Sequence, residues 1–170
     1  GASLNATFKK MTIYSQVILD EFLLSEIRAR SGWWANKFGV QLGVKGQMTD
    51  NLSYRFEGNL VRPYTYSHLT PMQVYGHRDS PLAHPYGSNF AELLTEFNWS
   101  KHINPKLKLR FFASFGIRGL DTDSLNYGSD IYESYINRAN DFGNYIGQGT
   151  KQRFFITNTR ASYPILREGR

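Results

Sequence analysis

Between Leu107 and Leu120 the chain alternates. Leu107, Leu109, Phe111, Ala113, Phe115, Ile117 and Gly119 share one parity, and Lys108, Arg110, Phe112, Ser114, Gly116 and Arg118 the other. A period of two belongs to a β-strand with one apolar face. The same pattern marks Thr7 to Asp20, where Met11, Ile13, Val17 and Leu19, with Ser15, oppose Thr12, Tyr14, Gln16, Ile18 and Asp20. It recurs in Phe38 to Lys45, Leu52 to Val61 and Phe90 to Ser100, and more weakly in Arg153 to Tyr163. Six strands are predicted. The segments between them alternate in length. The turns "GQMTDN" and "KHINPK" are short, whereas Ser25–Asn36, Arg62–Asn89 and Asp121–Thr150 are long connections.

Alternation alone also suits a soluble β-barrel with an apolar interior that holds a small apolar ligand. Several features favour a membrane wall. The longer segments exceed the ~5–6 residues usual for soluble strands and match the ~9–11 needed to cross a bilayer at a tilt. Short turns on one side and long loops on the other are the habit of outer-membrane barrels. Aromatic residues gather near segment ends, with Trp33 and Trp34 by a long loop and Tyr54, Trp99 and Tyr163 by the opposite ends. In hydrocarbon, backbone N–H and C=O groups find partners only in a closed sheet. The expected fold is therefore all-β, an antiparallel up-and-down transmembrane β-barrel, present as a segment of about six strands from a larger barrel. Single-chain bacterial barrels begin at about eight strands, so further amphipathic hairpins and a signal peptide are expected upstream.

On this reading Leu109, Phe111 and Ile117 touch lipid, and the other face lines a lumen. Charges there should pair. Arg55, Glu57, Glu96, Lys108, Arg110 and Arg118 form the expected lumen ladder. The simplest hairpin registers place Glu96 opposite Arg110, Asn98 opposite Lys108, Gly43 opposite Arg55 and Gln41 opposite Glu57.

Composition sharpens the picture. The chain has 170 residues, the length of one domain, with 12 Phe, 11 Tyr and 3 Trp, and no cysteine. Disulfides and thiolate metal sites are thereby excluded. The net charge is +6, but its distribution argues against nucleic acid, which needs an exposed basic stripe. Much of the positive charge falls on lumen positions. The 121–150 loop is acidic, with Asp121, Asp123, Asp130, Glu133 and Asp141 against Arg138.

Three stretches carry a family resemblance: "YSQVILDEFLLSEI" (14–27), "RPYTYSH" with "YGHRDSPLAHPYGSNFAEL" (62–93), and "NYGSDIYESYINRANDFGNYIGQG" (126–149). They resemble the capsule-assembly outer-membrane barrels of the Wzi type in the form found in Bacteroidota, a group that includes the gliding-motility protein RemB. The resemblance implies a surface-exposed barrel in the outer membrane. It implies a role in holding capsular polysaccharide, or in gliding and surface adhesion. The implied partners are outer-membrane lipid, surface polysaccharide and other envelope proteins. It assigns no ligand residue.

Candidate binding residues come from the loops: Trp33, Trp34, His77, His84, Tyr86, Tyr132, Tyr135 and Tyr145. Such aromatic rings suit stacking on sugars and suit ordinary loop packing equally. His68, His77 and His84 lack the tight spacing and added ligands of a metal site, so no metal or cofactor is expected. Glycoside hydrolysis needs two carboxylates at a defined separation. Asp20 and Glu21 are neighbours and point to opposite faces. Glu92 and Glu96 share a face but stand about 13 Å apart by strand rise. The expected protein is non-enzymatic.

Overall fold

A computed structural model describes residues 1–101 and 107–163. The fold is all-β and antiparallel. Its strands are β1 (Ala2–Phe8), β2 (Met11–Glu21), β3 (Lys37–Thr49), β4 (Leu52–Val61), β7 (Phe90–Lys101), β8 (Leu107–Leu120) and β9 (Thr150–Ser162). A two-residue hairpin, β5 (Gly76–His77) with β6 (Ser80–Pro81), lies in the connection between β4 and β7. The seven long strands form one sheet in sequence order, β1-β2-β3-β4-β7-β8-β9. Among the described residues the sheet is open, since β1 and β9 each have one neighbour.

Several expectations need correction. Among the described residues the main sheet has seven strands rather than six. Thr7–Asp20 is not one segment: it breaks at Lys9, whose φ of 47° begins a two-residue turn. The chain therefore enters β1 from the long-loop end of the sheet, not from the turn end. The apolar face of β1 (Ala2, Leu4, Ala6, Phe8) is half alanine, which hid its alternation. The connection before β3 contains a short helix, α1 (Leu24–Ala29), and β9 begins at Thr150 rather than Arg153. The turn after β3 is only Asp50-Asn51, so β3 runs further than the expected Lys45 while β4 keeps its expected bounds, and the pairing slides by two residues. Gly43 faces Glu57, Lys45 faces Arg55 and Gln41 faces Asn59. The β7–β8 pairing slides equally: Glu96 faces Phe112, Asn98 faces Arg110 and Ser100 faces Lys108. An even slide leaves every side chain on its predicted face; an odd one would have inverted them. Residues 102–106 of the expected turn "KHINPK", and the tail 164–170, lie outside the described residues.

The two faces differ sharply. One carries Leu4 and Phe8 (β1), Ile13, Val17 and Leu19 (β2), Val40 and Leu42 (β3), Phe56 (β4), Leu93 (β7), Leu109, Phe111 and Phe115 (β8) and Phe155 (β9). All of these are exposed, Phe111 by 39%, Phe115 by 53% and Phe155 by 73%. The apolar strand residues are thus not the core. The other face holds buried polar side chains: Glu57, Asn59, Glu92 and Ser114. Gly43 on this face stands opposite Tyr14, and a Cβ there would run into the tyrosine ring.

The compact core lies at the loop end. Val61, Tyr66, Phe90 and Ile131 cluster there, with Ile18, Val74, Tyr86 and Tyr132 packed against them. The connection 62–89 folds back over the polar face and meets the connection 121–149. Tyr64 N donates to Gly128 O at 3.0 Å, Tyr64 Oη to Asn126 O at 2.9 Å, and Ser88 Oγ to Gly128 O at 2.6 Å. Gly128 has φ of +78° and lies against the Tyr64 ring and backbone, so a side chain fits neither its conformation nor its space. Burial raises the Tyr64 hydroxyl to about 12. It therefore stays protonated and keeps donating at any physiological pH.

Candidate functional site

The site has two layers: the polar face of the sheet, and the loop cap above it. On the sheet, period-two placement lines up polar residues of several strands in the same cross-strand rows, such as Gln16, Gln41, Asn59 and Glu92. Tyr14 Oη donates to Glu57 Oε2 at 2.5 Å, and Gln41 Nε2 to Glu57 Oε1 at 3.1 Å. Asn59 Nδ2 sits between two carboxylates, 2.9 Å from Glu57 Oε1 and 3.0 Å from Glu92 Oε1. Ser114 Oγ donates to Glu92 Oε2 at 3.0 Å. Each buried carboxylate thus has several donors, which is what a desolvated charge requires.

His84 comes down from the cap to join this network. Its Nε2 lies 2.8 Å from Glu92 Oε1, and its ring stacks on Phe90 with centroids 4.3 Å apart. Tyr86 N lies 3.2 Å from His84 Nδ1. A backbone N–H can only donate, so Nδ1 accepts and Nε2 carries the proton given to Glu92. Glu92 is therefore the anchor of the 82–90 segment. Changing Glu92 to Gln exchanges a charge-assisted hydrogen bond, of about 1.5–3 kcal/mol, for a neutral one. Backbone amides of residues 82–88 should then exchange with solvent faster, while those of β3 and β4 keep their protection. Equal protection of both segments would contradict the anchor. Between the 62–89 connection and the wall lies a cavity of about 310 Å³, whose polar lining is Gln16, Gln41, Asn59, Tyr66, Tyr75 and His84.

Nearer the turn end, Glu96 is shared. Arg55 Nη2 reaches Glu96 Oε2 at 3.0 Å, and Arg110 Nε reaches Oε1 at 3.0 Å with Asn98 Nδ2 beside it at 3.0 Å. Arg55 Nη1 is also 3.8 Å from Glu57 Oε2. The expected ladder residues Arg55, Glu57, Glu96 and Arg110 are thus brought together. The Glu96–Arg110 pair is diagonal rather than directly opposed. Lys108 has no carboxylate partner among the described residues, and Arg118 donates from Nε to Gln152 Oε1 at 3.0 Å instead.

The eight loop candidates separate into groups. Trp33, Trp34 and Tyr135 pack together, with Trp34 and Tyr135 centroids 4.8 Å apart. Two residues the sequence did not single out complete that group. Lys37, fully buried, places Nζ 4.5 Å from the Tyr135 ring centroid and 3.0 Å from Ser67 O, and the Arg138 guanidinium lies 4.4 Å from Trp34. These contacts fasten the 22–36, 62–89 and 121–149 connections to one another. His84 and Tyr86 form a second group with Phe90, Phe154 and Arg118. Tyr132 lies against Gly76 of the small hairpin. His77 and Tyr145 are exposed and stand apart from both groups. His68 approaches Asp20 at 3.8 Å, so the histidines of the 62–89 connection point to different places. Among the described residues, no three His, Asp or Glu side chains come together as a metal site would need. No helix of the described residues is long and apolar enough to cross a membrane.

Comparison with family models, curated proteins and solved structures returns no match.

Tyr14, Gln41, Asn59 and Ser114 fall by parity on the face of Glu57 and Glu92, as expected, although the expected ladder of charged residues did not include them. Asn89 and Lys37 carried no signal, because their roles depend on which loops meet.

Proposed function

We propose that this chain forms part of the wall of a non-enzymatic outer-membrane β-barrel, with the loop cap at the cell surface. There it serves in surface polysaccharide (capsule) attachment, or in gliding motility and surface adhesion. One observation carries the membrane reading: the apolar face is bare from β1 to β8, and at Phe155 on β9, while the polar face is cross-linked by hydrogen bonds and ion pairs. Six strand spacings of ~4.8 Å make that face roughly 29 Å wide. Soluble monomers rarely leave contiguous apolar patches above a few hundred Å². Along β8 the apolar row from Leu107 to Ile117 covers ten residue steps. At ~3.3 Å each and a tilt of ~40° it rises about 25 Å, the height of the apolar band on outer-membrane barrels.

Strand connectivity agrees. The turns at Lys9-Lys10 and Asp50-Asn51 are tight and lie at one end, and the three long connections lie at the other. Among the described residues the outer edges of β1 and β9 are unpaired, and hydrocarbon offers such edges no partner. The wall therefore closes through further strands, from the same polypeptide or from another. The functional half of the proposal rests on the resemblance of residues 14–27, 62–93 and 126–149 to Wzi-type barrels. It also draws on the rigid, aromatic-rich cap those segments build.

Two measurements test the proposal. The native protein should sediment with outer membranes, resist extraction by alkaline carbonate and be released by detergent. Deletion in the source bacterium should shed surface polysaccharide into the medium or abolish spreading on surfaces. A protein that is monodisperse without detergent contradicts the first half. A deletion strain that keeps its surface polymer, adhesion and spreading contradicts the second.

A further inference from the structure

The turn-end half of the polar face holds more positive charge than its own carboxylates neutralise. Lys45 lies directly opposite Arg55, and Arg110 directly opposite Arg160. Like charges at opposed positions repel, yet both pairs occupy adjoining rows of one sheet. Lys108 follows one row further toward the turn end, opposite Ser162. Against these cations stand Glu96, already engaged by two guanidiniums, Glu57 at the upper margin, 3.8 Å from Arg55, and Asp50 at the turn, which pairs with Lys10 at 3.1 Å. Among the described residues, Lys45, Lys108 and Arg160 reach no carboxylate, and Arg55 Nε is buried without a hydrogen-bond partner. The groove over β1 to β8 here has a volume of about 710 Å³, with Thr12, Gln47, Ser53 and Asn98 beside Lys45, Arg55 and Arg110; Arg110 also lines an adjoining hollow of about 290 Å³ with Lys108 and Arg160.

We propose that this half of the polar face binds an oxyanionic ligand, one that presents phosphate or carboxylate groups at two or more positions. Guanidinium forks match both groups in a planar, bidentate manner. Arg110 and Arg160, on adjacent strands, stand ~4.5–5.5 Å apart at Cα, so one multivalent anion can engage both. Such a ligand also relieves the repulsion within the two opposed pairs. The proposal requires a water-filled space over the polar face and in that respect rests on the barrel reading. The binding measurement itself does not depend on a membrane.

The test is titration calorimetry on the full chain in nonionic detergent at low ionic strength. Tripolyphosphate and citrate are the probes, so that the two arms separate phosphate from carboxylate recognition. Saturable binding of at least one probe is expected, weakening as salt is raised. The double variant Arg110→Gln, Arg160→Gln should lose roughly ten- to a hundredfold in affinity, the loss expected when charge-assisted hydrogen bonds are removed. Lys45→Gln, which breaks no ion pair and removes the repulsion with Arg55, should weaken binding severalfold without lowering the thermal midpoint. Arg153→Gln, on the apolar face, should bind like the parent. No saturable binding of either probe by the parent overturns the proposal. So does equal affinity in the lysine and double-arginine variants, or an equal loss in Arg153→Gln. If the protein proves soluble without detergent, the barrel reading fails while the same titration still decides anion binding.

Discussion

Phe115→Arg destabilises the folded protein in a bilayer by about 2–4 kcal/mol, the cost of a cation at the midplane of a barrel's lipid face. Phe115 sits midway along β8, opposite Leu93 on one side and Phe155 on the other. All three side chains are more than half exposed. In water, a substitution at so exposed a site changes stability by within about 0.5 kcal/mol, and removing an exposed phenyl ring improves solubility. Lipid reverses that expectation, because the guanidinium must be desolvated or must pull water into the membrane. Urea titration of the protein folded into vesicles measures the difference. Phe115→Leu is the control and should fall within about 1 kcal/mol of the parent, since lipid tails accept either side chain. A Phe115→Arg protein as stable as the parent in vesicles contradicts the lipid-facing assignment.

Asn89→Ala opens the cap. Asn89 is fully buried, has φ of 60° and joins two connections. Its Nδ2 donates to Gln148 O at 3.0 Å, and its Oδ1 accepts from Gly147 N at 2.7 Å. Alanine removes both bonds, leaves a buried N–H and C=O without partners, and disfavours the left-handed backbone. Each orphaned group costs about 1–3 kcal/mol and the backbone about 1 kcal/mol more, so the local loss is about 3–7 kcal/mol. The amide of Gly147 should exchange roughly a hundredfold faster or more, while amides in the β3–β4 ladder hold their protection. Asn89→Asp keeps the acceptor and loses the donor, and should fall between the two. Unchanged exchange at Gly147 in Asn89→Ala would mean that the cap is held elsewhere.

The strand framework was legible because its signal is local. From Met11 to Leu19 and from Leu107 to Ile117, parity alone assigned every side chain to a face. The two-residue register slides left those faces intact. β1 escaped because Ala2 and Ala6 give its alternation little contrast, and because Lys9 turns the chain without a glycine. The partners within a row depend on turn length, which is why Glu96 was expected opposite Arg110 and is found diagonal to it. The cap was the least legible part. Tyr64 and Tyr66 adopt positive φ, Lys37 is fully buried beneath aromatic rings, and Asn89 braces a loop nearly sixty positions away. Long-range loop contacts of this kind have no sequence period to reveal them. The same holds for His84: its imidazole could be placed in a loop from the sequence, but its bond to Glu92 follows only from the way 62–89 folds back over the wall.

The most direct test of the central claim uses the absence of cysteine. Single cysteines placed in turn from 108 to 118, spin-labelled in the protein reconstituted into vesicles, report collision with oxygen, which concentrates in lipid, and with a water-soluble nickel chelate. A lipid-facing wall gives a period of two: oxygen contact at 109, 111, 115 and 117, and nickel contact or shielding from both reagents at 108, 110, 114 and 118. Shielding of 111, 115 and 117 from both reagents, together with free nickel contact at 110 and 118, would describe a soluble protein with its greasy side sealed inside, and would contradict the account.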